Sequence, residues 1–191
     1  MYAQQNKRYN VNVRTKEETR ISKYISLLLR HHPEKENLVM DGHGWVSSEA
    51  LIKAIGIDMD LLEKIVREDE KQRYAFNEDH TKIRASQGHS VPVDVGLQEC
   101  IPPMYLFHGT GEKYLGSIRK QGLLPQSRLY VHLSPDADTA YKVGVRHGRP
   151  VILTVKAGEM QEKGHVFYLS ANGVWLTADV PAEYLIFPEE Q

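Results

Sequence analysis

The apolar residues of this chain change their spacing once, and that change limits the possible folds more than any other feature. From Glu17 the spacing is helical. Ile21, Tyr24, Ile25 and Leu28 fall at i, i+3, i+4 and i+7, one stripe that must face a core. Pro33 disfavours helical geometry at His32 and stops this first helix. "GWVSSEALIKAI" can begin a second helix on its serines and bury Leu51, Ile52 and Ile55. "DMDLLEKIVRED" reads as a third, with Asp58 or Asp60 at its start. In "RYAFNEDHTKIRA", Tyr74, Phe76 and Ile83 alternate with polar residues around a turn-like "NEDH", which predicts a β-hairpin. Either a two-residue or a four-residue loop puts Arg73 opposite Arg84 and Tyr74 opposite Ile83. Like charges directly opposite are unfavourable, so an anion between them would ease that pairing. Three short helices followed by a hairpin is the layout of a winged helix.

After "SQGHSVPVDVGLQECIPP", rich in breakers and expected to be a boundary, the texture turns to strands. "MYLFHG", "RLYVHLS", "PVILTVKA", "HVFYLS", "GVWLT" and "EYLIF" are each short and apolar. Asn172-Gly173 signals a two-residue hairpin. Two helices interrupt the strands, "EKYLGSIRKQG", closed by Gly122, and "PDADTAYKVGVRHG", with Ser134 expected as N-cap and Pro135 at N1. The expected fold class is therefore α+β: a loose polar arm over 1–20, a winged-helix lobe over 21–92 and a β-rich lobe over 93–191.

Charge excludes one class of partner surface. Residues 1–90 carry 15 basic and 14 acidic residues, and residues 91–191 carry 9 and 11. Neither half is polybasic, so a nucleic acid would be gripped by a local patch. The single cysteine, Cys100, forbids an intrachain disulfide or a cysteine zinc cage. A reducing, cytoplasmic setting fits. No run of about 18 apolar residues and no signal-peptide pattern is present, so no membrane partner is expected.

Chemistry concentrates in three places. "LLLRHHP" ends a leucine-rich helix in Arg30, His31 and His32; cations in a last turn complement the helix dipole, but they also seek anions. "LFHGT" and "VHLS" each set a histidine, His108 and His132, at an expected strand end, followed by a small hydroxyl residue near a helix start, where backbone N–H groups can meet phosphates. "GTGEKY" lacks the third glycine and the strand–acid context of a dinucleotide fingerprint, which excludes a Rossmann site.

Taken in order, "SKYISLLLRHHP", "DGHGWV", "QRYAF", "IRASQGHS", "LFHGT", "YVHLSPD", "KVGVRHGRPVILTV" and "NGVWLT" resemble the RNA 2′-phosphotransferase (tRNA 2′-phosphotransferase) family from about Ser22 to Phe187. The resemblance implies a winged-helix lobe joined to an ADP-ribosyltransferase-like lobe, with NAD+ as co-substrate, no metal, and an RNA bearing an internal 2′-phosphate, tRNA-like, as partner of a monomer. It implies a catalytic set of Arg30, His31, Arg73 and Arg146. The implied cofactor-binding residues are His108, Gly109, Thr110, His132, Leu133 and Ser134. The implied reaction has two steps. The RNA 2′-phosphate attacks the nicotinamide ribose C1″, then the 2″-hydroxyl attacks phosphorus. The products are 2′-OH RNA, nicotinamide and ADP-ribose 1″,2″-cyclic phosphate, by way of a 2′-phospho-ADP-ribosylated RNA. Many wider ADP-ribosyltransferases carry a late glutamate; the corresponding "LTADVPAEY" offers Val180. Guanidinium forks suit phosphate oxygens in pairs and stay charged. Two other readings are ADP-ribosylation of nucleic-acid phosphate ends and a nucleotide-sensing winged-helix DNA-binding regulator.

Overall fold

The computed structural model describes residues 15–188. Of the polar arm, residues 1–14 lie outside them. Its last residues are already helical, because Thr15 opens helix α1 (Lys16–Arg30) with a capping box in which the Thr15 hydroxyl accepts from the Glu18 amide while the Glu18 carboxylate accepts from the Thr15 amide. The chain continues through β1 (Val46–Ser47), α2 (Ser48–Ile55), α3 (Met59–Arg67), β2 (Tyr74–Phe76) and β3 (Lys82–Ala85). Ser47 caps α2, and Asp58, not Asp60, caps α3. These strands form one antiparallel sheet in the order β1–β3–β2. Ile25, Leu28 and Leu29 of α1 are fully buried against Leu51, Leu62, Ile65 and Ile83 in a single core. The expected stripe is therefore the packing face.

The hairpin forms, but its register differs from expectation. Tyr74 pairs with Ala85, Ala75 with Arg84 and Phe76 with Ile83, a displacement of two residues. Side chains set the longer loop. Asp79 accepts from the Thr81 amide and hydroxyl, Asn77 accepts from the Lys82 amide, and His80 takes a left-handed φ of 58°. Arg73 lies beside Ser86 instead, and Arg84 stacks its guanidinium 4.4 Å from the Trp45 ring centroid. The like-charged pair does not exist.

The rest of the chain adds β4 (Gln98–Glu99), β5 (Leu106–Gly111), α4 (Leu115–Gln121), β6 (Val131–Leu133), α5 (Ala137–Gly144), β7 (Pro150–Val155), α6 (Ala157–Glu162), β8 (Phe167–Leu169), β9 (Trp175–Thr177) and β10 (Leu185–Ile186). They make two antiparallel sheets, β10–β7–β5 and β4–β8–β9–β6, linked where Phe107 bridges Ser134. A second core fills the space between them, built on Leu106, Leu133, Leu153, Met160 and Phe167. The fold is thus mixed helices and antiparallel sheets.

Three local expectations are corrected here. The N-cap of α5 is Asp136, whose carboxylate accepts from the Thr139 amide. Ser134 is held extended instead, its backbone exchanging hydrogen bonds with Phe107. The Asn172-Gly173 turn is a three-residue loop, with Ser170 and Val174 bonded across it and only Gly173 at positive φ. Finally, His108 does not end its strand. β5 runs on to Gly111 because its pairing with β7 continues to Pro150, and His132 likewise sits in mid-strand. The two histidines therefore do not stand at strand ends, and the start of α5 is capped by its own Asp136.

Candidate functional site

Arg30 sits where α1 ends against the other half of the chain. Its guanidinium is largely buried, and Nε and Nη2 are buried with no hydrogen-bond partner. Burial, reinforced by Arg128 and Arg73 and opposed by Tyr74 and Asp69, pulls its pKa down to about 10. It is still a cation at neutral pH, held without a matching acid. Gly88 packs on it: its φ of 90° is costly for side-chain-bearing residues, and a Cβ there would stand in van der Waals contact with the Arg30 guanidinium carbon. A buried, unpaired cation is expensive unless something compensates it.

The neighbouring groups are poised for an anion. His31 Nδ1 lies 3.0 Å from Ser90 Oγ, and burial together with Arg30 and Arg128 lowers its pKa. Arg73 is braced by a buried acid. Nη1 donates to Asp69 Oδ1 at 2.6 Å, and its amide donates to Asp69 Oδ2. The rest of its fork is left for the groove that it lines together with Arg146, Lys23, Ser26, Ser22 and Thr19. Arg146 reaches this groove from the turn Val145–His147 after α5. Lys71 stands beside it, its pKa lowered by burial and then by Arg146 and Arg73. The structure thus gathers Arg30, His31, Arg73 and Arg146 at one junction between the two halves.

The β5–β6 seam brings His108 and His132 together. His108 Nδ1 donates to the His132 carbonyl at 3.1 Å, and burial keeps the ring neutral. His132 Nδ1 donates to the Tyr130 carbonyl at 3.0 Å. Burial and Arg128 depress its pKa to about 3. Gln87 Oε1 lies 2.7 Å from Nε2; because a neutral imidazole that donates from Nδ1 must accept at Nε2, we assign the Gln87 amide the flipped orientation, with its NH2 group toward the ring. Other residues of the expected binding set serve the scaffold. A Cβ on Gly109 would lie 1.7 Å from the Ala140 carbonyl oxygen, so this glycine lets α5 pack on β5. Leu133 is core, the buried Thr110 pairs with Val151 in the sheet, and Ser134 holds the bridge to Phe107. Val180, which the resemblance sets against the wider enzymes' glutamate, is fully buried and paired with Leu123. It offers no acid.

The segment that ties these parts together is "SQGHS", which opens the expected boundary and closes the motif "IRASQGHS" but supplies none of the expected site residues. Instead Gln87 meets His132, Gly88 packs on Arg30, the His89 carbonyl accepts from the Leu129 amide, and Ser90 meets both His31 and the Arg30 carbonyl. His89 is itself buried, with Nε2 unpartnered and its pKa pushed down to about 4 by burial and then by Arg30. Arg128, also unremarked, lies close enough to perturb Arg30, His31, His108 and His132. Among the described residues, no group of three His, Cys, Asp or Glu is placed to hold a metal ion, and no helix is long and apolar enough to cross a membrane.

Comparison with known proteins converges on one family. Residues 16–179 match the model of the RNA 2′-phosphotransferase, Tpt1/KptA family. The chain belongs to the RNA 2′-phosphotransferase family. Its similarity to family members extends over most of both chains. A probable RNA 2′-phosphotransferase of Flavobacterium johnsoniae is 51% identical over 172 residues, covering 87% of this chain and 94% of the relative. One from Streptomyces coelicolor is 49% identical over 174 residues, covering 88% and 94%. Another, from Trichormus variabilis, is 50% identical over 173 residues, covering 88% and 95%. All the motifs that suggested the RNA 2′-phosphotransferases, from "SKYISLLLRHHP" to "NGVWLT", lie inside the matched span.

Proposed function

We propose that this protein removes an internal 2′-monophosphate from RNA by transferring it to NAD+, acting as a cytoplasmic monomer. The observation that carries the reading is Arg30, a buried guanidinium with two unpartnered nitrogens beside the Arg73–Arg146 groove. A phosphate monoester carries about −1.5 to −2 charges near pH 7 and three strong acceptor oxygens. It would supply both the charge and the acceptors that Arg30 lacks. The order α1–β1–α2–α3–β2–β3 supports reading the first half as a winged-helix lobe. The two linked antiparallel sheets support reading the second as ADP-ribosyltransferase-like.

The residues of the seam suit NAD+. With Nδ1 committed, His108 keeps Nε2 as an acceptor for a ribose hydroxyl, and the Nε2 of His132 meets only a side-chain amide that a ligand can displace. Bound there, NAD+ supplies an electrophilic ribose carbon and a vicinal hydroxyl, so the final products are 2′-OH RNA, nicotinamide and ADP-ribose 1″,2″-cyclic phosphate. Arg30 and His31 orient the RNA phosphate. Arg73, held rigid by Asp69, and Arg146 neutralise charge that builds on its oxygens. A phosphate is anionic before it attacks, so the buried Val180 in place of an acid costs the reaction nothing.

The test is incubation with NAD+ and an RNA oligonucleotide carrying one internal 2′-phosphate. Nicotinamide release, loss of the 2′-phosphate and appearance of the cyclic phosphate are expected. ADP-ribose left on the RNA without cyclic phosphate would make the protein a nucleic-acid ADP-ribosyltransferase. No nicotinamide release at all would reject NAD+ chemistry.

A further inference from the structure

The groove is longer than one phosphate needs. Thr19, Ser22, Lys23 and Ser26 are spaced by three or four residues, so they form one face of α1 that leads to Arg30. Lys23 precedes Arg30 by seven residues, which is about 10 Å along the helix axis. Both side chains lean toward the helix N-terminus, so this offset is carried over to their charged heads. The phosphoryl group held at Arg30 is too small to meet both.

Charge makes the same point. No carboxylate lines the groove. Among the described residues, no carboxylate pairs with Lys23 or Arg146, while the α1 acids Glu17 and Glu18 are engaged by Arg20 and Lys64. The groove hydroxyls already have partners within the chain: Ser22 and Ser26 meet the Tyr74 hydroxyl, and Thr19 donates to the Thr15 carbonyl. Lys23 is therefore the exposed, uncommitted cation at the far end of a track whose near end holds Arg30.

We propose that Lys23 forms a second anion subsite, which takes a backbone phosphodiester of the RNA strand flanking the phosphorylated nucleotide. This rests on the RNA 2′-phosphate reading above and adds strand recognition to it. An internal 2′-phosphate has a diester on either side, the nearest further anions a strand lying along α1 would present.

The experiment uses the full-length protein, without NAD+, and a fluorescent RNA oligonucleotide with one internal 2′-phosphate, titrated across a range of salt. Lys23→Ala should weaken binding roughly tenfold, as expected for one charged contact. It should also reduce the slope of log affinity against log salt by about 0.7, one single-strand phosphate. Lys23→Arg should restore both. Replacing individual flanking diesters with neutral methylphosphonates identifies the contact: at one position the wild type loses affinity and Lys23→Ala loses no more. An unchanged salt slope in Lys23→Ala, or equal losses from every methylphosphonate in both proteins, would overturn the subsite. Turnover of the same oligonucleotide by wild type with NAD+ tests the underlying reading separately. Lys23-dependent binding without phosphate transfer keeps the subsite and rejects the reaction, and transfer with Lys23-independent binding does the reverse.

Discussion

Replacing Arg30 with methionine should make the protein more stable and inactive. A fall in pKa to about 10 measures how much less favourable the charged guanidinium is in the folded state than in water. At 1.36 kcal/mol for each tenfold change in proton affinity, the penalty is on the order of 3 kcal/mol. The folded pKa of this base is depressed, so the penalty is complete at every pH below about 10 and is relieved only as pH rises above it. At pH 7 it is fully felt. Methionine has a similar stem and no charge, but loses some packing against Gly88, so a net gain of about 1–2 kcal/mol is expected. With a urea slope of about 2 kcal/mol per molar, the midpoint should move up by roughly 0.5–1 M. Trp45 and Trp175, one in each half, provide the fluorescence signal. The complementary measurement adds 2′-phosphorylated RNA. At a hundredfold excess over its Kd it should stabilise wild type by about 2.7 kcal/mol and Arg30→Met far less. If Arg30→Met unfolds at lower urea than wild type, the guanidinium is a satisfied structural group, and the case for an anion site at the end of α1 collapses.

Other outcomes follow from the same geometry. Arg73→Lys should lose nearly as much kcat/KM as Arg73→Ala, because an ammonium cannot keep the Asp69 contact and still present a fork to phosphate; substantial rescue by lysine would reduce Arg73 to a point charge. Arg84→Ala should leave kcat/KM within about threefold while lowering stability by roughly 0.5–1 kcal/mol through the lost Trp45 stack, checked by steady-state kinetics and urea melts. Burial holds His89 near 4 and His132 near 3. Folded values depressed this far below the free histidine value mean stability is intact above about pH 6.5 and falls below it, by up to about 1.4 kcal/mol per pH unit for each ring between pH 6 and 4; His89→Asn should flatten that fall in urea melts, and an unchanged slope would contradict it. Gly109→Ala should cost at least about 2 kcal/mol by thermal or urea unfolding, since its Cβ would strike the Ala140 carbonyl.

How much of this was legible in sequence depends on range. The α1 stripe, a serine cap on α2, an aspartate cap on α3 left between Asp58 and Asp60, and the Gly122 stop are written in residues a few positions apart, and the structure chooses Ser47 and Asp58 among the candidates. The capping box over Thr15-Lys16-Glu17-Glu18 was equally local and would have moved the end of the arm to its observed place. Helix α6 went unseen because it is only six residues long, has no side-chain cap and buries just Ala157 and Met160, too few to establish a period. The hairpin register failed for a subtler reason. Parity, and hence which residues face the core, came from alternation, but the two-residue displacement was set by Asn77 and Asp79 acting on the loop. Alternation cannot distinguish registers that differ by two.

The site was half legible for a related reason. Arg30, His31, His108 and His132 stand in short, unusual strings, whereas Gln87, His89 and Arg128 stand in segments that look like loop. Their importance comes from separations of tens of residues: Gln87 meets His132 across 45 positions, and Ser90 meets His31 across 59. The consequence is mechanical as well as historical. Gln87 and Gly88 are consecutive, one in contact with His132 Nε2 and the other packed on the Arg30 guanidinium. A backbone shift at this dipeptide, such as the strain of a side-chain-bearing residue at a φ of 90° would drive, must disturb Arg30 and the seam histidine together. Gly88→Ala should therefore weaken NAD+ and 2′-phosphorylated RNA in parallel, whereas Arg30→Met should weaken the RNA alone. Calorimetry with each ligand separately decides this: equal selectivity in the two variants would mean that the "SQGHS" loop does not join the two halves of the site.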